Sequence, residues 1–322
     1  MSNERPVMPK WKALILASRP PFLQVTILPV SLGIILAFYH VGHINWLYAV
    51  LVLLIACFMH LSVNLVHEYW DWKSGTDNIN VNAMRPFTGG SGMIQLGLVS
   101  PKEELAFGLS LLILATILGL YILVVLPVVR IPLLIIGAIA VFSIIFYTGP
   151  PLKLAHRGVG EFFIFLNFGP LMCLGPYIVL TQRIHMEPII VGSLLGILTT
   201  AILWINEFPD VQADASVGKR HLVVRFGLKR ARYGYAILEF LPYIIQILAV
   251  FLGLLPWITL ITFLAIPQAI RNVRICFENY DKPKKLFPAN LGTIKNHLIY
   301  GLLLILAYIL IFVIPINPYL GS

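Results

Sequence analysis

Residues 45–67 read NWLYAVLVLLIACFMHLSVNLVH, and residues 68–71 continue EYWD. The first part is an apolar run without a formal charge, and about 18 or more such residues are enough to cross a bilayer core. Lipid offers no partner for backbone N–H and C=O groups, so a run of this kind folds as a helix. Eight further runs share its character, at about 22–40, 104–127, 131–148, 159–180, 187–207, 232–253, 255–270 and 297–315. The composition agrees: 59% of residues are hydrophobic and 11% charged, against about 25% charged in a soluble domain. Nine spans leave no length for a separate soluble domain. The expectation is an all-α, polytopic membrane protein, nine transmembrane helices in one bundle, a single domain over residues 1–322.

The basic residues orient this bundle. With the N-terminus inside, 21 of the 23 Lys and Arg fall on that side, leaving Arg130 and Arg183 outside. Cytoplasmic loops carry such an excess, so the N-terminus and the longer loops are expected in the cytoplasm and the protein in the cell membrane. The net charge of +9 is then topology signal and contact with anionic lipid, and calls for no nucleic acid. Cys57, Cys173 and Cys276 have no ligand-like spacing, which supports neither a disulfide framework nor a thiolate metal site.

Acidic residues are few, 14 in all, and they gather at the ends of two runs. Asn64-Leu65-Val66-His67-Glu68-Tyr69-Trp70-Asp71, followed by Asp77, closes the second. Asn206-Glu207-Phe208-Pro209-Asp210-Val211-Gln212-Ala213-Asp214, followed by Gly218-Lys219-Arg220, closes the sixth. At 100° per residue, Asn64, Glu68 and Asp71 fall within about 60° on a helix, and Asn206, Asp210 and Asp214 within about 80°. Carboxylates clustered at a membrane interface are costly unless neutralised. Magnesium is their natural partner, a hard cation commonly held by one or two carboxylates plus substrate phosphates. A solvated helix end would explain one such motif; two with the same Asn-to-acid spacing favour a metal site holding a diphosphate.

Pro209 disfavours helix in the residue before it, so a kink is expected there. The stretch His67-Glu68-Tyr69-Trp70-Asp71 departs from the zinc-protease pattern H-E-x-x-H, because Asp replaces the second histidine. His67 lies about 60° off the acidic stripe and reads as a polar helix-end residue. Two loops, from Tyr69 to about Lys102 and from Phe208 to about Ala231, are long enough to cap a site. The first contains Arg85-Pro86-Phe87-Thr88-Gly89-Gly90-Ser91-Gly92, where glycines permit close backbone approach. The matching motifs divide the chain into a pseudo-repeat of about 20–158 and 159–292, plus a ninth helix at about 296–315, with the site expected between the halves.

These residues resemble the UbiA-type intramembrane prenyltransferases, in which two aspartate-rich motifs follow the second and sixth of nine helices. The resemblance is most specific at Asn64 to Asp77, Arg85 to Ser91, Tyr147 to Glu161 and Asn206 to Leu222. Gly75-Thr76-Asp77, Arg85 to Ser91 and Asp214 to Arg220 are most similar to the branch that prenylates 1,4-dihydroxy-2-naphthoate in menaquinone synthesis. Two departures stand out. The family's first motif usually begins Asn-Asp where this chain has His67-Glu68, and that branch's second motif reads Asn-Asn-x-Arg-Asp where this chain has Asn206-Glu207-Phe208-Pro209-Asp210.

The resemblance implies magnesium, two ions bridging an isoprenoid diphosphate, held by Asn64, Glu68, Asp71, Asn206, Asp210 and Asp214. It implies catalytic roles for Asp71, Asp77, Asp210 and Asp214. Arg19, Arg85, Lys153, Lys219 and Arg220 are the implied diphosphate contacts, Arg bidentately and Lys as a point charge. An aromatic acceptor attacks the allylic carbon, and Asp77 and a substrate oxygen both stand as candidate bases. Other acceptors remain open: 4-hydroxybenzoate, homogentisate or a lipid alcohol. The competing class is a cation- or proton-coupled transporter, which would place its acids near mid-membrane.

Overall fold

The apolar runs fold as the backbone demands. The computed structural model describes residues 8–80, 83–85 and 87–313, without the side chains of Asp77 and Asn78. Among the described residues nine helices are long and apolar enough to cross a membrane: α1 (Pro20–Val41), α2 (Trp46–Ser74), α3 (Pro101–Val125), α4 (Pro127–Phe146), α5 (Gly160–Thr181), α6 (Met186–Ser216), α7 (Leu228–Phe251), α8 (Trp257–Asn279) and α9 (Pro283–Val313). No strand occurs among these residues. The Asn45 side chain caps α2, and Ser100 with Glu103 forms a capping box on α3, which fixes where those helices start.

The α6 helix forms the axis, mostly buried by its neighbours, whereas few residues of α4 are buried. Its neighbour α5 approaches through glycines. A Cβ on Gly196 would stand 2.7 Å from the Phe165 carbonyl oxygen and 2.8 Å from the Gly169 Cα. The backbone of α5 is broken at this crossing, around Gly169 and Pro170. Leu28 and Leu32 of α1, Tyr177 of α5, Leu194 and Leu198 of α6 and Tyr300 of α9 share the main core. Glu239, buried on α7, accepts hydrogen bonds from Tyr235 Oη, Asn272 Nδ2 and Asn296 Nδ2, tying α7, α8 and α9 together. Ile113, Ile117 and Val124 of α3 and Ile131 and Ile135 of α4 are exposed, as lipid-facing residues are.

Three expectations need correcting. The α6 helix does not break at Pro209 but continues to Ser216. Proline has no N–H to give the carbonyl four residues back, and Asn290 Nδ2 of α9 donates to that Ile205 oxygen instead, at 3.1 Å. The second loop therefore shrinks to residues 217–227, part of which is the short helix Leu222–Phe226, so one long loop covers the site rather than two. The last helix starts at Pro283 rather than near residue 296, with proline at the first helical position, where its missing N–H costs nothing. Residues 314–315, the expected end of that span, lie outside the described residues.

Candidate active site

The acidic ends of α2 and α6 meet at Lys219. Its Nζ lies 3.3 Å from Asp214 Oδ1 and 3.8 Å from Asp71 Oδ2. Burial alone would lower the lysine, but Asp214, Asp71 and Asp210 outweigh it and hold Lys219 charged well above the usual lysine range. His67, read from the sequence as a helix-end residue, joins this cluster with Nε2 3.2 Å from Asp71 Oδ2.

The long loop after α2 is pinned by one acid from each motif. Asp210 accepts from Asn80 Nδ2 at 2.6 Å and from the Gly89 N–H at 3.3 Å. Glu68 accepts the Ser91 N–H on both oxygens at 3.0 Å, the Ser91 hydroxyl at 2.5 Å and the Gly92 N–H at 3.2 Å. Glycine is required at two of these contacts: Gly89 has φ +64 and a Cβ there would meet Ala83 Cβ at 2.4 Å, while Gly92 has φ +82 with Arg85 Cδ at 2.6 Å. Glu68 was expected among the metal ligands. The structure turns both of its oxygens to the loop, because that glycine-rich backbone presents N–H groups a carboxylate can take.

The implied diphosphate contacts occupy different places. Arg19 donates from Nη2 to the Phe87 carbonyl oxygen at 2.8 Å and lies 4.5 Å from the centre of the Phe22 ring. Arg85 is exposed and donates from Nε to the Gly89 carbonyl oxygen. Lys153 and Arg220 are exposed on neighbouring loops, joined where the Arg220 N–H donates to the His156 carbonyl oxygen at 3.1 Å. Asp77 sits in the short helix Thr76–Ile79, its side chain outside the described residues.

Beneath the acids a cavity of about 540 Å³ runs into the bundle. Arg19, Asn64, His67, Tyr147 and Asn206 line its polar end, and the remaining wall is largely apolar. Asn64 Nδ2 donates to the Ser18 carbonyl oxygen at 2.9 Å, and Asn206 Oδ1 accepts from Asn290 Nδ2 at 2.8 Å. Leu120 and Leu134, each more than half exposed, belong to the wall, so the cavity reaches the lipid-facing side of α3 and α4. Tyr147 is buried, and burial together with Glu207 and Glu161 raises its hydroxyl well above the usual range; it stays protonated and can only donate or accept hydrogen bonds.

The donor set suits a hard divalent cation. Asp71, Asp210 and Asp214 supply carboxylate oxygens, and Asp71 Oδ1 is buried with no hydrogen-bond partner among the described residues. Such oxygens are what magnesium takes, together with phosphate oxygens of a substrate.

Sequence reasoning gave no role to Asn80, Ser91, Glu161, Glu207 or His221. His221 is buried, with Nε2 3.0 Å from Asp214 Oδ2 and Nδ1 3.3 Å from Glu207 Oε2. Burial would lower it, but Glu207 and Asp214 raise it to about 9. Nearby His156 goes the other way, to about 4, through burial and the Lys219 charge. Signals existed for two of them: Ser91 sits inside the glycine run, and His221 directly follows Lys219-Arg220.

A family profile described as the UbiA prenyltransferase family matches residues 26–294. The chain is 25% identical over 297 residues to 2-carboxy-1,4-naphthoquinone phytyltransferase of Synechocystis sp., covering 92% of this chain and 93% of that one. It is 27% identical over 288 residues to 1,4-dihydroxy-2-naphthoate octaprenyltransferase of Bacillus subtilis, covering 89% of each. Among solved structures, a UbiA homolog from Archaeoglobus fulgidus bound to DMAPP and Mg2+ superposes with a TM-score of 0.61 at 15% identity, over 90% of this chain and 98% of that one. At that identity the likeness concerns the fold.

Proposed function

This chain belongs to the UbiA prenyltransferase family, and on that premise we propose that it transfers a prenyl group from an isoprenoid diphosphate to 1,4-dihydroxy-2-naphthoate or a closely related ring. The acceptor follows the names of its relatives in Synechocystis and Bacillus. The observation that carries the reading is Asp71 and Asp214 joined through Lys219, with His67, the neighbour of Asp71, lining the polar end of an apolar cavity. A diphosphate fits the charged end and an isoprenoid tail fits the rest.

Asp71, Asp210 and Asp214 would hold magnesium, with Asn64 and Asn206 beside the cavity mouth. Bound there, magnesium neutralises the diphosphate and makes it a better leaving group. Lys219 donates to diphosphate oxygens, and Arg19 stands at the same mouth. The bond from the first prenyl carbon to oxygen breaks, its electron pair leaving with the diphosphate. A carbon of the electron-rich ring bonds to the allylic carbon and then gives up its proton to a base, for which Asp77 and a substrate oxygen are the candidates. The apolar walls and the loop pinned by Glu68 and Asp210 keep water from the cationic carbon. The Lys and Arg distribution supports a cytoplasmic N-terminus and site, in the cell membrane.

Mass spectrometry tests this directly: purified protein and magnesium are offered one long prenyl diphosphate and a panel of aromatic and lipid-alcohol acceptors. A prenylated naphthoate-derived product is expected; exclusive prenylation of another acceptor would reassign the substrate. Asp210→Asn is expected to abolish transfer while the protein stays folded in detergent, and full activity in that variant would remove the metal-site reading.

A further inference from the structure

Beside the Asp71–Lys219–Asp214 cluster lies a second group of ligating side chains that transfer chemistry does not use. Glu161 at the start of α5, Glu207 on α6 and His221 in the following loop are all buried, and each places a ligating atom within 4.8 Å of the other two. Glu161 is 4% exposed. Its Oε1 accepts the Leu222 N–H at 2.6 Å, but its Oε2 is buried without a hydrogen-bond partner among the described residues. Glu207 Oε2 is likewise buried without a hydrogen-bond partner among the described residues and lies 3.3 Å from His221 Nδ1. Two buried carboxylates around one imidazole leave an excess of negative charge, which is costly unless a cation or proton joins them.

The imidazole is set up as metal-bound histidines are. Such a histidine donates its other ring N–H to a carboxylate, which fixes the ring and its tautomer. Here Nε2 points at Asp214 Oδ2 at 3.0 Å, which leaves Nδ1 as the ligand atom facing Glu207. The Val224 N–H donates to Nδ1 at 3.4 Å, a long bond that ligation would replace. A tetrahedral ion with bonds of about 2.1 Å needs ligand atoms about 3.4 Å apart, a spacing the Glu207–His221 pair already has.

We propose that Glu161, Glu207 and His221 form a binding site for a divalent transition ion, zinc by its mixed nitrogen and oxygen donors, separate from the magnesium–diphosphate site. Imidazole suits zinc far better than magnesium. Binding displaces the Nδ1 proton, as ligation of a histidine requires, and the ion then holds His221 rigid against Asp214. The loops 147–159 and 217–227 close over it, through Arg220 N–H to His156 O and Arg225 Nη2 to Arg157 O.

The test is metal content after dialysis of the detergent-purified protein against zinc and then against zinc-free buffer. Wild type is expected to retain about one zinc per chain, held by three protein ligands with water in the fourth position. Glu161→Gln and Glu207→Gln are expected to lose it, and Asp71→Asn to keep it. Retention no greater than in Glu161→Gln overturns the proposal, and so does loss from Asp71→Asn, which would assign the ion to the diphosphate site. Should the buried variants fail to fold, X-ray absorption on the wild type decides: one imidazole and oxygens at about 2.0–2.2 Å are expected. A sulfur or all-oxygen shell overturns it.

Discussion

Ser91 closes on Glu68, giving its N–H to both carboxylate oxygens at 3.0 Å and its hydroxyl to Oε1. An acid at this place in the motif reads as a metal ligand; here its oxygens meet the loop that follows, as those of Asp210 do. Glu68 positions that loop, and Asp210 does the same from α6 through Asn80 and Gly89.

Ser91→Ala removes the hydroxyl bond and leaves the N–H. A hydrogen bond to a charged group contributes about 1.5–3 kcal/mol, so kcat/KM for the prenyl diphosphate is expected to fall roughly 10–100-fold. Leu96 is exposed on this loop, so chymotryptic cleavage there should accelerate in parallel. Unchanged cleavage and unchanged kinetics would show that the contact does not hold the loop.

Lys219 is the cation lodged between the two motifs. Lys219→Met leaves Asp71 and Asp214 facing each other without it, and loss of one partner of a buried pair typically costs about 3–5 kcal/mol. The expected result is a fall of at least about 100-fold in kcat/KM with a raised KM for the diphosphate, partly restored in Lys219→Arg. A loss under about 10-fold in steady-state kinetics would detach the lysine from the diphosphate.

Two histidines give the chelated, metal-free protein opposite pH limits. His221 faces Glu207 and Asp214, with Glu161 in the same cluster, and titrates at about 9, above its unfolded value of about 6.5. Its contribution is fully present below about pH 6.5 and is lost as pH rises through about 9. His156, lowered to about 4, is half-buried and neutral, and its contribution is lost as pH falls from about 6.5 through 4. Thermal unfolding in detergent across this range should show a maximum between the two limits. His221→Asn is expected to flatten the alkaline fall, and an unaltered profile would contradict the assignment.

The helices were legible because lipid permits one solution for an uncharged run of twenty or so residues, and nine such runs are visible in the sequence. The convergence of Asp71 and Asp214 was legible too, since each motif places an acid four residues after its Asn and a second one three or four residues further on. What the chain concealed is long-range. The continuity of α6 through Pro209 depends on Asn290 of α9, which no local rule about proline anticipates. The direction of Glu68 depends on N–H groups some twenty residues later, in a loop whose glycines announce a close approach but not its partner. His221 and Glu161 carry no periodic signal; they become a cluster only when α5 and α6 pack.

The cavity predicts a handle on substrate length. Gly175 lines its wall, fourteen residues beyond Glu161 on α5 and past the break at Gly169. A Cβ there would meet only Ile136 Cγ2, at 3.9 Å, so a larger side chain enters the space where a tail would lie instead of clashing with the bundle. Gly175 directly precedes Pro176 inside the helix, where a Cβ is disfavoured, so folding of Gly175→Leu is checked by its thermal unfolding in detergent. Its kcat/KM should fall at least about 10-fold for long prenyl diphosphates, since an obstructed tail loses contact area at about 25 cal/mol per Å², while a ten-carbon donor that stops short of Gly175 is turned over as before. Equal losses for both donors, or none for either, would place the tail elsewhere.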